Sequence, residues 1–258
     1  MTLFKKFFAC HAAGVVRESG GGRPRVRAVD GEDKEARRQA ILDAAERLFA
    51  ERHELANVAD VAEAAGLAKG TVYLYFQTKE EIYLALHLRH EEAFFTALID
   101  QLQRDEPFRF EHIFDLARRH MISDPTHMAL GACCIGFAPN AVPLEAGINF
   151  QTKLTGWLLT AGAGLERHLP RLAPGEGVRL LKHSYALMIG LFSLRNERNE
   201  SDVKCPVLPG LGTYQQEASL ALIRYWAHVA GVPDSTVAAM SRATGLPEFN
   251  RDITNDQP

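Results

Sequence analysis

No stretch of the chain approaches the ~20 apolar residues that a membrane-spanning helix requires. The most apolar run, Ala186–Leu194, is about half that length. Cysteine is scarce, and Cys10, Cys133, Cys134 and Cys205 show neither a metal-ligand spacing nor a disulfide framework, which suits a reducing cytosol. Charge of one sign is missing too: the net charge is −3, so any attraction for a polyanion must come from local placement. A GxSxG elbow, a phosphate loop and an HExxH pair are all absent, which speaks against an enzyme. What is present is ordinary globular composition, 47% apolar and 24% charged over 258 residues, enough for one large domain or two modest ones. The expectation is a cytoplasmic protein with no membrane partner, no cofactor and no metal. The N-terminal "MTLFKKFFACHAAGVV" has the outline of a signal peptide, but His11 breaks its apolar patch and a Gly- and Arg-rich stretch follows. A disordered leader, or a start placed too far upstream, fits better.

Residues 1–33 have Gly, Pro and charge but no apolar period, and are expected to form a flexible arm. From residue 34 the texture changes. Ala40, Ile41, Ala44, Ala45, Leu48 and Phe49 recur at helical spacing, predicting an amphipathic helix over 34–52. Asn57 then caps a short helix with Val58, Val61, Ala62 and Ala65 on one face, and Gly66 stands where such a helix stops in the left-handed conformation. A further short helix is predicted over Ala68–Phe76. Thr78-Lys79-Glu80-Glu81 forms a capping box, with Glu81 placed to reach back to the Thr78 amide, and opens a long helix to about Gln103. Two short helices joined by a tight Gly turn between longer ones make a helix-turn-helix.

The stretch "AGLAKGTVYLYFQTKEE" raises a packing question, because Tyr73, Tyr75 and Phe76 cannot all point inward. At 100° per residue Val72 and Phe76 share one face, while Gly70, Thr71 and Leu74 point the other way. Val72 and Phe76 are therefore assigned to the core. Tyr73 and Tyr75 flank the outward face, with Lys69 and Lys79 at its ends. The plainer alternative is that the two tyrosines pack against neighbouring helices.

Residues 36–83, with "ILDAAERLFAER", "VADVAEAAGLAKGTVYLYF" and "TKEEIYLAL", resemble the N-terminal DNA-binding domain of the TetR family of bacterial transcriptional regulators. The resemblance covers about a fifth of the chain. It implies an all-α homodimer: a three-helix helix-turn-helix domain that binds double-stranded operator DNA, and a larger helical C-terminal domain that dimerises and binds a small-molecule effector. It places DNA contacts on Asn57, Lys69, Gly70, Thr71, Tyr73, Tyr75 and Lys79, and the outward position of Leu74 adds that residue. Two departures stand out. His53 occupies a position where the family commonly has Gly, in a turn that looks one residue short, which puts the role of Asn57 in question. Ala68 replaces the usual Ser cap, at a cost of ~1 kcal/mol.

The implied organisation is a basic arm (1–33), the DNA-binding domain (34–80), the C-terminal domain (81–244) and a flexible tail (245–258). Residues 34–80 hold seven Lys/Arg against eight Asp/Glu, so the compact domain is not basic; residues 1–29 hold six against one. The arm either supplies phosphate or minor-groove contacts, or is a solvated leader without a role.

Beyond residue 105 periodicity predicts helices at about 109–122, 148–169, 177–195, 214–231 and 233–243, with a loop over 196–212. Helix 177–195 and helix 214–231, the latter through Leu220, Ile223, Trp226 and Ala227, are candidates for a four-helix dimer interface, with ordinary core packing as the alternative. The irregular apolar segment 131–150 suggests a ligand cavity walled by Cys133, Cys134, Phe137 and Phe150, with Met121, Met128 and Trp157. His120, His127, Cys133 and Cys134 match no familiar metal spacing. Three functions remain to be separated: a ligand-released repressor, an enzyme bearing a helix-turn-helix, and an adaptor that kept the fold without binding DNA.

Overall fold

The computed structural model describes residues 24–124, 126–138, 140–194 and 212–245, which form helices and connections with no strand among them. The helices are α1 (Pro24–Arg52), α2 (Val58–Ala64), α3 (Lys69–Val72), α4 (Lys79–Leu102), α5 (Phe110–Ala117), α6 (Thr126–Ile135), α7 (Leu144–His168), α8 (Glu176–Ser193), α9 (Tyr214–Ala230) and α10 (Asp234–Ala243). A π-helical turn, Arg118–Ile122, continues α5. The all-α expectation holds. Residues 1–23 of the expected arm, the expected 196–212 loop up to 211, most of the 245–258 tail, Cys10 and Cys205 lie outside the described residues.

The first helix takes in residues 24–33 of the expected arm. It starts at Pro24, not at 34. Proline suits a first helical position because its missing N–H has no partner there in any case. One interior glycine, Gly31, costs only about 1 kcal/mol and does not stop the helix. Met1–Arg38 separates as a unit of its own, within which Glu35 and Arg38 form a pair at 3.9 Å. The second unit begins at Gln39 and holds the rest of the helices.

Three groups of buried side chains organise this second unit. Ile41, Ala45, Phe49, Val61, Val72, Phe76, Ile82, Tyr83 and Leu86 form the core of the first three helices and the start of α4. Phe94, Leu98 and Leu102 of α4 join α5, α7, α8 and α9 in the largest core, around Leu165, Met188, Ile223 and Trp226. A small third group holds Leu84, Leu88, Cys134 and Phe150. The expected domain boundary at 80/81 thus falls inside α4, a single helix that serves every core.

Helix α6 is a second difference. The sequence pattern predicts an irregular segment over 131–150, yet Thr126–Ile135 and the stretch from Leu144 are helical, and among the described residues only 136–138 and 140–143 are not. Gly131 is tolerated inside α6 because that helix packs closely here, and a Cβ would collide with the Tyr185 hydroxyl. Helices α7 and α8 cross through Gly162 and Gly177, where a Cβ on Gly177 would collide with the Gly162 carbonyl. Helix α9 departs from the expected dimer face: Ile223, Trp226 and Ala227 are buried in the subunit's own core. Trp226 Nε1 donates to Ser184 Oγ of α8 at 2.7 Å, which satisfies both buried polar groups.

Candidate DNA-binding face

The turn between α2 and α3 is built from local signals. Asn57 Oδ1 accepts from the amides of Ala59 (2.8 Å) and Asp60 (3.1 Å), an N-cap worth about 1 kcal/mol. At the other end Gly66 adopts φ +67°. The Leu67 amide then reaches the Ala62 carbonyl (2.9 Å) and the Gly66 amide reaches that of Glu63 (3.0 Å), the pairing of a Schellman stop. At the end of α1, His53 takes φ 54°, a left-handed conformation that explains why a glycine is common at such a position.

Two side chains fix how the chain reaches α2. The Tyr83 hydroxyl, on a ring with no exposure, accepts from the Ala56 amide at 2.9 Å. Arg52 pairs with Asp60 at 2.8 Å. Helix α4 is clamped to α1 by Arg89, whose guanidinium donates to Asp43 and Glu46, each at 2.6 Å, while His90 Nε2 lies 2.7 Å from the other oxygen of Glu46. That hydrogen bond from His90 and the charge of Arg89 hold the Glu46 carboxyl below its ordinary range despite partial burial.

Helix α3 is shorter than expected, because the regular helix covers only Lys69–Val72. Beyond it the chain tightens into i→i+3 hydrogen bonds, Leu74 to Thr71 (3.1 Å) and Tyr75 to Val72 (2.9 Å). Ala68 provides no side-chain cap, as the sequence implies, so the helix gains nothing at its start. Val72 and Phe76 are 0% and 2% exposed, whereas Leu74 is 79% exposed. The inward and outward assignment from helical angle therefore holds for these residues. Tyr73 is exposed with Lys69 Nζ 5.9 Å from its ring centroid, and Tyr75 is half-buried against the first core. The two tyrosines thus differ: one reaches out and the other partly packs. Gly70 is exposed, and a Cβ built there would meet no atom within 4 Å. Asn57, Lys69, Gly70, Tyr73 and Leu74 are exposed, while Thr71, Tyr75 and Lys79 are half-buried. The box at α4 differs in one bond. Thr78 Oγ1 accepts from the Glu81 amide at 3.1 Å, but the Glu81 carboxylate takes the Gln77 amide (2.6 Å) instead of that of Thr78. Thr78 Oγ1 also donates to the Ala141 carbonyl at 2.9 Å, tying the start of α4 to the loop after α6.

This geometry has a counterpart among known proteins: residues 41–86 match the family described as bacterial regulatory proteins, tetR family. The chain carries a TetR-family N-terminal domain. A curated relative, the fatty acid metabolism regulator protein of Bacillus subtilis (strain 168), is 45% identical over 47 residues. That match spans 18% of this chain and 24% of the relative, about a quarter of its length. Among solved structures, the fatty acid degradation regulator FadR from Bacillus halodurans aligns at 17% identity and a TM-score of 0.49, covering 76% of this chain and 96% of its own. SmeT, the repressor of the Stenotrophomonas maltophilia multidrug efflux pump SmeDEF, aligns at 19% identity and a TM-score of 0.48, covering 74% and 89%.

Beyond the TetR-type domain, the seven residues expected to wall a cavity do not all come together. Met121 and Met128 are buried in the largest core, and Cys133 packs against the first. Cys134, Phe137, Phe150 and Trp157 do cluster, with Leu84 and Leu88 of α4. Burial raises the Cys134 thiol far above its ordinary value, and its Sγ contacts the Tyr83 carbonyl at 3.8 Å. Open clefts of about 280 and 410 Å³ lie elsewhere, around Arg171 and His228. Sequence reasoning missed the Tyr83 hydroxyl and a buried trio, His87, Glu91 and His127. The i, i+4 spacing of His87 and Glu91 was visible, but the arrival of His127 from α6 was not.

Proposed function

We propose that the chain is a DNA-binding transcriptional repressor that acts as a homodimer and leaves its operator when a small, mostly apolar effector binds the C-terminal helices. The observation that carries this reading is the outward face of the helix-turn-helix. Lys69, Gly70, Thr71, Tyr73 and Leu74 are held by a buried Val72 and Phe76, and the space over Gly70 is open to an approaching backbone. Thr71 and Leu74 take base edges, Leu74 through a thymine methyl, while Lys79 and Tyr75 take phosphates. The effector is assigned to the group formed by Cys134, Phe137, Phe150 and Trp157, which abuts α4. Movement there reaches the first core through α4, since Leu84 and Leu88 belong to one group and Ile82 and Leu86 to the other. A hundredfold loss of operator affinity needs about 2.7 kcal/mol of differential binding, within the usual range of coupling. For the dimer, Leu187, Leu191 and Leu194 lie along one side of α8 without being buried.

Footprinting on the DNA upstream of the protein's own gene tests this reading. A protected inverted repeat is expected, its half-sites about one helical turn or slightly more apart. Thr71→Ala should weaken that site more than random DNA. Lys79→Ala should weaken both and lower the salt slope by about one unit. Uniform coverage with no protected repeat would overturn the proposal.

A further inference from the structure

Three side chains with donor atoms meet inside the unit, away from the helix-turn-helix face. His87 and Glu91 lie one turn apart on α4, and His127 enters from α6; they are 4%, 3% and 1% exposed. Among the described residues this is the one group of three or more His, Cys, Asp or Glu side chains whose donor atoms all lie within 4.8 Å of one another. Glu91 Oε1 stands 3.1 Å from His127 Nε2 and 3.5 Å from His87 Nε2. The Tyr185 hydroxyl of α8 is 3.2 Å from His87 Nε2.

These separations have a chemical meaning. Donors bound at the usual zinc–nitrogen and zinc–oxygen distances of ~2.0–2.2 Å form a tetrahedron with edges of about 3.3–3.6 Å. The two spacings from Glu91, 3.1 and 3.5 Å, fall close to that edge, and the third pair of donors lies within 4.8 Å. The surroundings also prepare the donors. His127 Nδ1 lies 3.2 Å from the His120 carbonyl, which can only accept, so Nδ1 carries the proton and Nε2 is turned toward Glu91. A ligating histidine is commonly fixed by such a carbonyl. His127 Nε2 and Glu91 Oε1 are thus two acceptor atoms facing each other at 3.1 Å in a buried site, an arrangement that a metal ion between them satisfies. His87 is the less firmly held of the two rings, since its Nδ1 has no hydrogen-bond partner.

We propose that His87, Glu91 and His127 bind a divalent transition-metal ion of the zinc class, with the Tyr185 hydroxyl beside the fourth coordination position. Nitrogen and carboxylate donors of this kind suit zinc and its neighbours rather than calcium or magnesium. The ion would tie α6 to the turns of α4 that also carry Arg89 and His90, the side chains holding α1. Because the donors are buried, the ion loads as the chain folds.

The test uses the full chain, unfolded with a chelator, freed of metal and refolded with Co²⁺ near neutral pH. Visible d–d absorption of a four-coordinate ion, one per chain and displaced by Zn²⁺, is expected. Near-ultraviolet charge transfer from sulfur should be absent. Glu91→Gln and His127→Gln should each lose the absorption while keeping the helical circular dichroism of the wild type. Wild type that refolds without the absorption overturns the site, as does absorption that survives in both variants, or a sulfur band pointing to Cys133 and Cys134. Should a variant not refold, X-ray absorption on zinc-loaded wild type decides. Two imidazoles with oxygen donors support the site, and sulfur or an all-oxygen shell refutes it.

Discussion

Replacing Tyr83 by phenylalanine removes one oxygen atom and isolates a single hydrogen bond. The hydroxyl accepts from the Ala56 amide at 2.9 Å, and Ala56 is itself only 6% exposed. The phenylalanine ring keeps the apolar contacts of the tyrosine, including the tilted packing on Phe49 at 5.9 Å between centroids. What changes is that a buried N–H loses its acceptor. Leaving such a donor unpaired costs about 1–3 kcal/mol, since no water takes the place of the phenol. Burial raises the Tyr83 pKa above its ordinary value, so the side chain is neutral across the neutral range and the substitution changes no charge. Urea unfolding followed by circular dichroism should show a lower midpoint with an unchanged slope, the signature of lost stability without a change in exposed surface. Tyr75→Phe is the control: it removes the same atom from a half-buried ring and should stay within about 0.5 kcal/mol of wild type. Equal midpoints for Tyr83→Phe and wild type would show that the α1–α2 turn does not depend on this bond.

Gly70→Ala should leave thermal stability equal or slightly raised, since the new Cβ meets nothing within 4 Å and alanine is favoured over glycine in a helix by up to about 1 kcal/mol. Operator binding in a gel shift should weaken all the same; unchanged affinity would mean that no DNA backbone approaches this position. Gly177→Ala should lower the melting temperature, because its Cβ must displace the Gly162 carbonyl where α7 and α8 cross. Such overpacking typically costs about 1–3 kcal/mol. Differential scanning calorimetry showing no loss would refute the close crossing.

The parts of this molecule that the sequence determined by itself are those decided within a turn or two of chain. The Asn57 cap, the Gly66 stop, the Thr78 cap and the inward turn of Val72 and Phe76 depend on residues at most five apart, so a one-dimensional pattern contains them. Helical periodicity likewise yields the all-α class and places α7 to α10 to within a few residues. Tertiary structure decided the rest. Periodicity says that Trp226 is apolar and on one face, but not whether that face meets another subunit or Ser184 of α8. It could not divide Met121 and Met128 from Cys134 and Phe150, because that depends on how α4, α6 and α7 cross. The Tyr83–Ala56 bond spans 27 residues, Glu91–His127 spans 36 and Tyr185–His87 spans 98. Side chains so distant in sequence meet only when whole helices have docked, and the angle and register of that docking come from packing summed over many contacts.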